Sequence, residues 1–140
     1  MKTVAKILIV CTLLLGITLS FASCGLFGLN LEKLEDKLED KGYEAELYTD
    51  DEIKSFLKTS PFASSIESDK VNSVLVASNL KELETFIAVE FESKDDAKKA
   101  YEDLESALEN LEKLSKVDLE LGMKGAVVYL GTATIVDDAI

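Results

Sequence analysis

Apolar positions follow different rhythms along these 140 residues. From Ile7 to Leu19 they run almost without a break, relieved only by Gly16 and two threonines. Beyond Asn30 the pattern becomes amphipathic. Leu31, Leu34 and Leu38 recur at helical spacing, with Asn30 as a capping residue ahead of them and Gly42 as a stop just past Lys41. Tyr43 to Tyr48 alternates polar and apolar residues, the period of a half-buried strand with Tyr43, Ala45 and Leu47 inward. Thr49-Asp50-Asp51-Glu52 spells a capping box and predicts a helix to about Lys58, carrying Ile53, Phe56 and Leu57 on one stripe. Ser60-Pro61 ends it, because the residue before a proline is pushed out of helical geometry. Residues 61–70 read as a loop or short turn.

Val71 to Ser78 reads as a second strand, Asn79 to Glu82 as a turn, and Leu83 to Glu92 as a third strand rich in β-branched and aromatic residues. Ser93, Asp95 and Asp96 open a long helix, since acids suit the first turn. It runs to about Leu114, and its stripe of Ala97, Ala100, Tyr101, Leu104, Ala107, Leu108, Leu111 and Leu114 predicts packing on this chain's own sheet and is regular enough for a partner helix. Val117–Leu121 and Ala126–Leu130 read as two short strands joined around Gly122-Met123-Lys124-Gly125, with Gly131 breaking the second. Thr134 and Asp137 are placed to cap a last helical turn. The predicted class is therefore α+β, a ferredoxin-like βαββαβ antiparallel sheet with helices on one face, plus an N-terminal helix and a C-terminal hairpin strand. In that order the first and third strands are neighbours, so Glu44, Glu46, Glu90 and Glu92 share the open face. Like charges opposite one another cost a few tenths to about 1 kcal/mol per pair. The reading is a possible acidic binding face for a cation or a basic protein, or else a set of ordinary solvated glutamates.

The first two dozen residues carry a different message. Lys2 and Lys6 precede the apolar run, and Phe21-Ala22-Ser23-Cys24 follows it. A basic end, a short apolar middle and small residues before a cut make a secretory leader. The run falls short of the roughly 20 apolar residues of a spanning helix. Phe21-Ala22-Ser23-Cys24 resembles the lipobox of bacterial lipoproteins, with Phe21 standing where that family usually has leucine. The resemblance implies a diacylglycerol on the Cys24 sulfur, removal of residues 1–23, and long acyl chains such as palmitate holding the new N-terminus in the bilayer. Gly25 stands where an aspartate would favour inner-membrane retention in a two-membrane cell. One acyl chain binds only marginally, but two or three hold firmly. The organisation read from this is a signal peptide at 1–23, a short lipidated tether at 24–30 and a single extracytoplasmic domain at 31–140. Leu26, Phe27 and Leu29 either dip into the lipid interface or pack on the domain. The expected location is the extracytoplasmic side of the cell membrane.

Composition narrows the function. Taking 23 residues from 140 leaves 117, a one-domain length. Cys11 leaves with the leader and Cys24 is consumed by lipid, so packing alone must stabilise the domain. What remains has 13 lysines against 27 acidic residues, a net charge of −14, and the chain has no histidine, tryptophan or arginine. An acidic chain without the bidentate guanidinium fork is a poor partner for nucleic acid. Without histidine there is no Ser-His-Asp or Cys-His site and no common zinc set. No glycine-rich phosphate loop and no Asp-x-Asp-x-Asp-Gly calcium loop occurs. The expectation is a small membrane-anchored binding or interaction module that is not an enzyme and carries no cofactor. The alternatives are a self-associating structural component of the cell envelope and, further off, a carboxylate-based hydrolase, which would lack the tryptophan-lined cleft usual for sugars.

Overall fold

The computed structural model describes residues 29–60, 66–112 and 118–140, with side chains left aside at 111 and 112. The first helix, α1 (Leu31–Asp40), starts as the sequence dictates: Asn30 Oδ1 accepts a hydrogen bond from the Lys33 N–H at 3.0 Å. It ends at Gly42, whose φ of +92° only glycine adopts freely. The Gly42 N–H donates to the Glu39 carbonyl and the Tyr43 N–H to the Leu38 carbonyl, the paired bonds of a Schellman stop. The turn delivers the chain directly into β1 (Glu44–Thr49).

Helix α2 (Asp51–Thr59) begins differently from expectation. Its N-cap is Asp50 at φ +51°, and no side chain caps it, so the Thr49–Glu52 capping box does not form. The tight step from β1 into the helix puts Asp50, one residue later, at the cap. Ser60 is extended ahead of Pro61, as expected. A 3₁₀ turn at Ser68–Lys70 leads into β2 (Val71–Asn79), which turns back into β3 (Glu84–Phe91). Helix α3 (Lys94–Glu112) opens on Ser93, whose Oγ accepts from the Asp96 N–H and donates to the Asp96 carboxylate. The chain finishes with β4 (Leu119–Lys124), β5 (Val127–Thr132) and α4 (Ala133–Ala139). The β4–β5 turn is made by Gly125, at φ +61°, and Ala126. Gly122 and Gly131, read as a turn residue and a strand breaker, both lie inside strands. Helix α4 starts one residue before Thr134, after an N-cap Thr132 that makes no side-chain cap bond.

These elements form an α+β domain with one five-stranded antiparallel sheet in the order β1-β2-β3-β5-β4. The strand order departs from the ferredoxin-like arrangement, because β2 lies between β1 and β3. β2 starts at the end of the sheet where β1 finished, with Thr49 opposite Ser73, and runs antiparallel to it.

Helices cover both faces of the sheet, which corrects the expectation of an open face. Val74 and Leu75 are consecutive and both fully buried, so β2 is covered on both sides. On one face α1 (Leu31, Leu34, Leu38) and α4 (Ile135, Val136, Ala139) pack on Leu75, Ala77, Phe86, Ala88 and Val127. On the other, α2 (Ile53, Leu57) and α3 (Ala97, Ala100, Leu104) pack on Val74, Val89, Phe91 and Val128. Ala88 and Val89, like Val127 and Val128, divide between the two cores. Strands buried on both faces read as continuous apolar runs rather than as alternation.

Candidate functional site

The four glutamates expected to form an acidic face are not brought together. Glu44 and Glu46 are exposed on edge strand β1, opposite Ser78 and Val76, on the α2–α3 side of the sheet. Glu90 pairs with Ser73 and Val127, on the α1–α4 side, where Ser73 Oγ donates to its carboxylate at 2.8 Å. Glu92 is exposed beyond the end of β3, and its N–H donates to the Lys70 carbonyl. With β2 interposed and the parities opposite, no cross-strand pair of glutamates exists among the four. Glu46 instead accepts a 2.7 Å hydrogen bond from Tyr48, whose ring stacks on Phe56 at 4.9 Å. That bond, followed by burial, raises the Tyr48 pKa. Cys24, the expected lipidation site, lies outside the described residues.

The acidic side chains gather instead by sheet end. The β2–β3 turn marks one end, where the register places Glu44 opposite Ser78 and Glu84 opposite Asn79. Glu82 lies in the turn, and Asp118 and Glu120 flank the start of β4, which faces Thr132 and Gly131 at the same end. The opposite end is acidic as well: Asp50, Asp51 and Glu52 follow β1, Asp69 precedes β2, and Glu92, Asp95 and Asp96 follow β3, alongside Lys70, Lys94 and Lys124.

Sequence reasoning missed the residues at the tip of the β2–β3 end. Leu80 and Leu83 are exposed to 75% and 82%, the large apolar side chains left in water among the described residues. Leu83 also sits at φ +57°, a left-handed conformation that costs an L-residue with a side chain roughly 1–2 kcal/mol. Asn79 Oδ1 accepts from the Lys81 N–H and fixes the turn. The legible signal was Leu80 inside the stretch read as a turn, with Leu83 at the first position read as strand.

Beside this tip, α4 is fastened to α1. The Asp138 carboxylate accepts from Lys41 Nζ at 2.6 Å and from the Tyr43 hydroxyl at 2.8 Å, and Lys37 Nζ donates to the Ala139 carbonyl. The hydrogen bonds from Lys41 and Tyr43 hold Asp138 below the usual carboxylate range. Burial, and then the bond to Asp138, pushes the Tyr43 hydroxyl well above an ordinary phenol. Each polar group in this clasp is answered by another, so its role is to fix the C-terminal helix.

Recesses open elsewhere among the described residues. One, between the 3₁₀ turn and α3, has a volume of about 120 Å³ and is lined by Glu67, Lys70, Asp96, Lys99 and Asp103. Lys99 and Glu67 approach to 3.7 Å across it. Another, among Ile66, Ile87, Val89, Leu104 and Val128, is apolar and holds about 10 Å³, no more than one water. Among the described residues, no group of three or more carboxylates, histidines or cysteines is placed to hold a metal ion. Among them, too, no helix is long and apolar enough to cross a membrane. No protein-family model matches the chain, no curated protein matches it, and no solved structure matches it.

Proposed function

We propose that this chain is a lipid-anchored extracytoplasmic protein whose folded domain serves as a small binding or interaction module. The carrying observation is the sequence at its start: a basic end, an apolar run and small residues lead to Cys24, and Leu29, five residues on, packs against the core. In this reading the Cys24 sulfur takes a diacylglycerol, residues 1–23 are removed, and the acyl chains hold the domain close to the bilayer. The half-buried packing of Leu29 on the core supports a tether that joins the domain rather than the lipid at that residue. The long α3 turns its Ala97, Ala100 and Leu104 stripe onto the sheet, which favours a module over a helix-mediated structural assembly.

Mass spectrometry of the N-terminal peptide from the native membrane fraction tests the proposal. The expected species begins at Cys24 and carries acyl mass, and Cys24→Ser loses both the acylation and the processing. An unmodified terminus, or one still carrying its leader, overturns the reading.

A further inference from the structure

We propose that Leu80 and Leu83 form a docking tip that inserts into an apolar pocket rimmed by lysine or arginine on a partner protein outside the cytoplasm. The extracytoplasmic location rests on the function proposed above; the tip itself rests on the fold. Both leucines stand in water at the β2–β3 turn, and neither contributes to either core. Leu83 adopts a left-handed conformation in which glycine would be unstrained, yet its side chain is 82% exposed and gains no burial within the domain. Exposed large apolar side chains grouped at one place mark contact surfaces more often than scattered ones do.

Charge selects the occupant. Glu44, Glu82 and Glu84 flank the tip, Asp118 and Glu120 stand farther off at the same end of the sheet, and the nearby cations are Lys81 between the leucines and Lys41, which is paired with Asp138. Loops that enter a bilayer surface pair apolar residues with lysine and arginine, because the headgroup region is anionic. This tip carries the opposite sign and is repelled there. Its position agrees. Glu35, halfway along α1, accepts from the Leu47 N–H, halfway along β1, so helix and strand run antiparallel. The chain therefore comes in at the end away from the tip, and eight-residue β3 separates that end from the tip by roughly 26 Å. Two copies anchored in one membrane hold their tips at the same height, where carboxylate faces carboxylate. A partner offering an apolar pocket with a cationic rim satisfies both the leucines and the acids.

The test places a photoreactive benzoylphenylalanine at Lys81 of the full-length chain in the producing cells, with Lys54 in α2 as the control position. The expected result is a light-dependent protein adduct from position 81 alone. The partner so identified, once purified, should bind the lipidated chain in neutral phosphatidylcholine vesicles. Leu80→Ser with Leu83→Gly should weaken that binding about tenfold or more, and so should about 0.5 M salt, which screens the acidic rim. Leu83→Gly alone relaxes the backbone, so its melting temperature should not fall while binding weakens, which separates contact from folding. An adduct with lipid, an adduct with a second copy of the chain, equal labelling from position 54, no adduct, or binding unaffected by the leucine changes each overturns the proposal. The N-terminal mass of the same sample reads the anchor independently: an adduct on an unlipidated chain sinks the anchoring alone, and a lipidated chain without an adduct sinks the tip alone.

Discussion

Gly122→Ala should destabilise the domain, and the reason lies on the neighbouring strand. Gly122 pairs with Tyr129, and the tyrosine ring lies over the glycine. A β-carbon on Gly122 would meet ring atoms Cζ and Oη at 2.2 Å and Cε2 at 2.7 Å. The ring must swing away, because the Gly122 backbone is held in register by the β4–β5 ladder. Leaving ends the stacking of Tyr129 on Phe86, whose centroids lie 6.2 Å apart, an interaction of about 1 kcal/mol. Re-exposing about a third of the 150–250 Å² that an aromatic ring buries, at about 25 cal/mol per Å², adds roughly 1.5 kcal/mol. Alanine recovers about 0.5–1 kcal/mol of the backbone entropy that glycine loses in a strand. The balance is a loss of about 1.5–2 kcal/mol. With Tyr129→Ala already in place the obstacle is gone, so the same change should be neutral or stabilising by about 0.5–1 kcal/mol. Urea unfolding of residues 25–140, followed by far-ultraviolet circular dichroism for the four proteins of the cycle, reads this directly. Equal destabilisation in both backgrounds, or none in the wild type, would refute the ring-over-glycine argument.

Other positions carry distinct signatures. Leu38, fully buried beneath α1, should lose about 2–5 kcal/mol as Leu38→Ala, whereas Leu80→Ala should stay within about 0.5 kcal/mol; chemical denaturation compares them. Asn30→Ala removes the α1 cap and should cost about 1 kcal/mol by the same method. The Asp138 clasp gives stability a two-sided pH dependence. Asp138 has its folded pKa depressed by Lys41 and then Tyr43, so its contribution is present above the ordinary carboxylate value of about 4 and disappears as pH falls through the lowered value. Tyr43 has its folded pKa raised, so its contribution is complete below the ordinary phenol value of about 10 and is lost as pH climbs beyond it. Melting temperatures across the pH range should show Asp138→Asn flattening the acid limb and Tyr43→Phe the alkaline limb, the latter at about 1 kcal/mol near neutrality.

Local signals in this sequence were legible, and their assembly was less so. The α1 cap at Asn30, the Gly42 stop, the strand from Tyr43 and the Ser93 start of α3 follow from side-chain chemistry within a few residues. Five strands and the α+β class were readable from apolar rhythm. Strand order was not, because it depends on where residues 60–70 return the chain, and no side chain announces that. The covered second face was written in Val74-Leu75-Val76-Ala77 and Phe86-Ile87-Ala88-Val89, which are continuous rather than alternating. Phe86 and Ala88, which share a face with Glu90, are both fully buried. The acidic face failed for the same reason: parity was assigned strand by strand, while the register sets Glu90 against Ser73 and turns it away from Glu46.

The edge of the sheet bears on how the domain meets other molecules. β1 is an outer strand, and an unpaired strand edge invites pairing with a second copy. Here α1 answers that hazard, since Glu35 takes the outward N–H of Leu47 in the middle of the strand. Two such edges meeting antiparallel would also bring Glu44 and Glu46 of each copy against their counterparts, an arrangement that like-charge repulsion disfavours. Self-association through β1 is thus opposed twice, by a filled hydrogen-bond site and by charge. The fold closes this surface to its own kind while leaving two leucines uncovered at the hairpin tip. That contrast is why the docking proposal rests on the tip and not on the sheet edge.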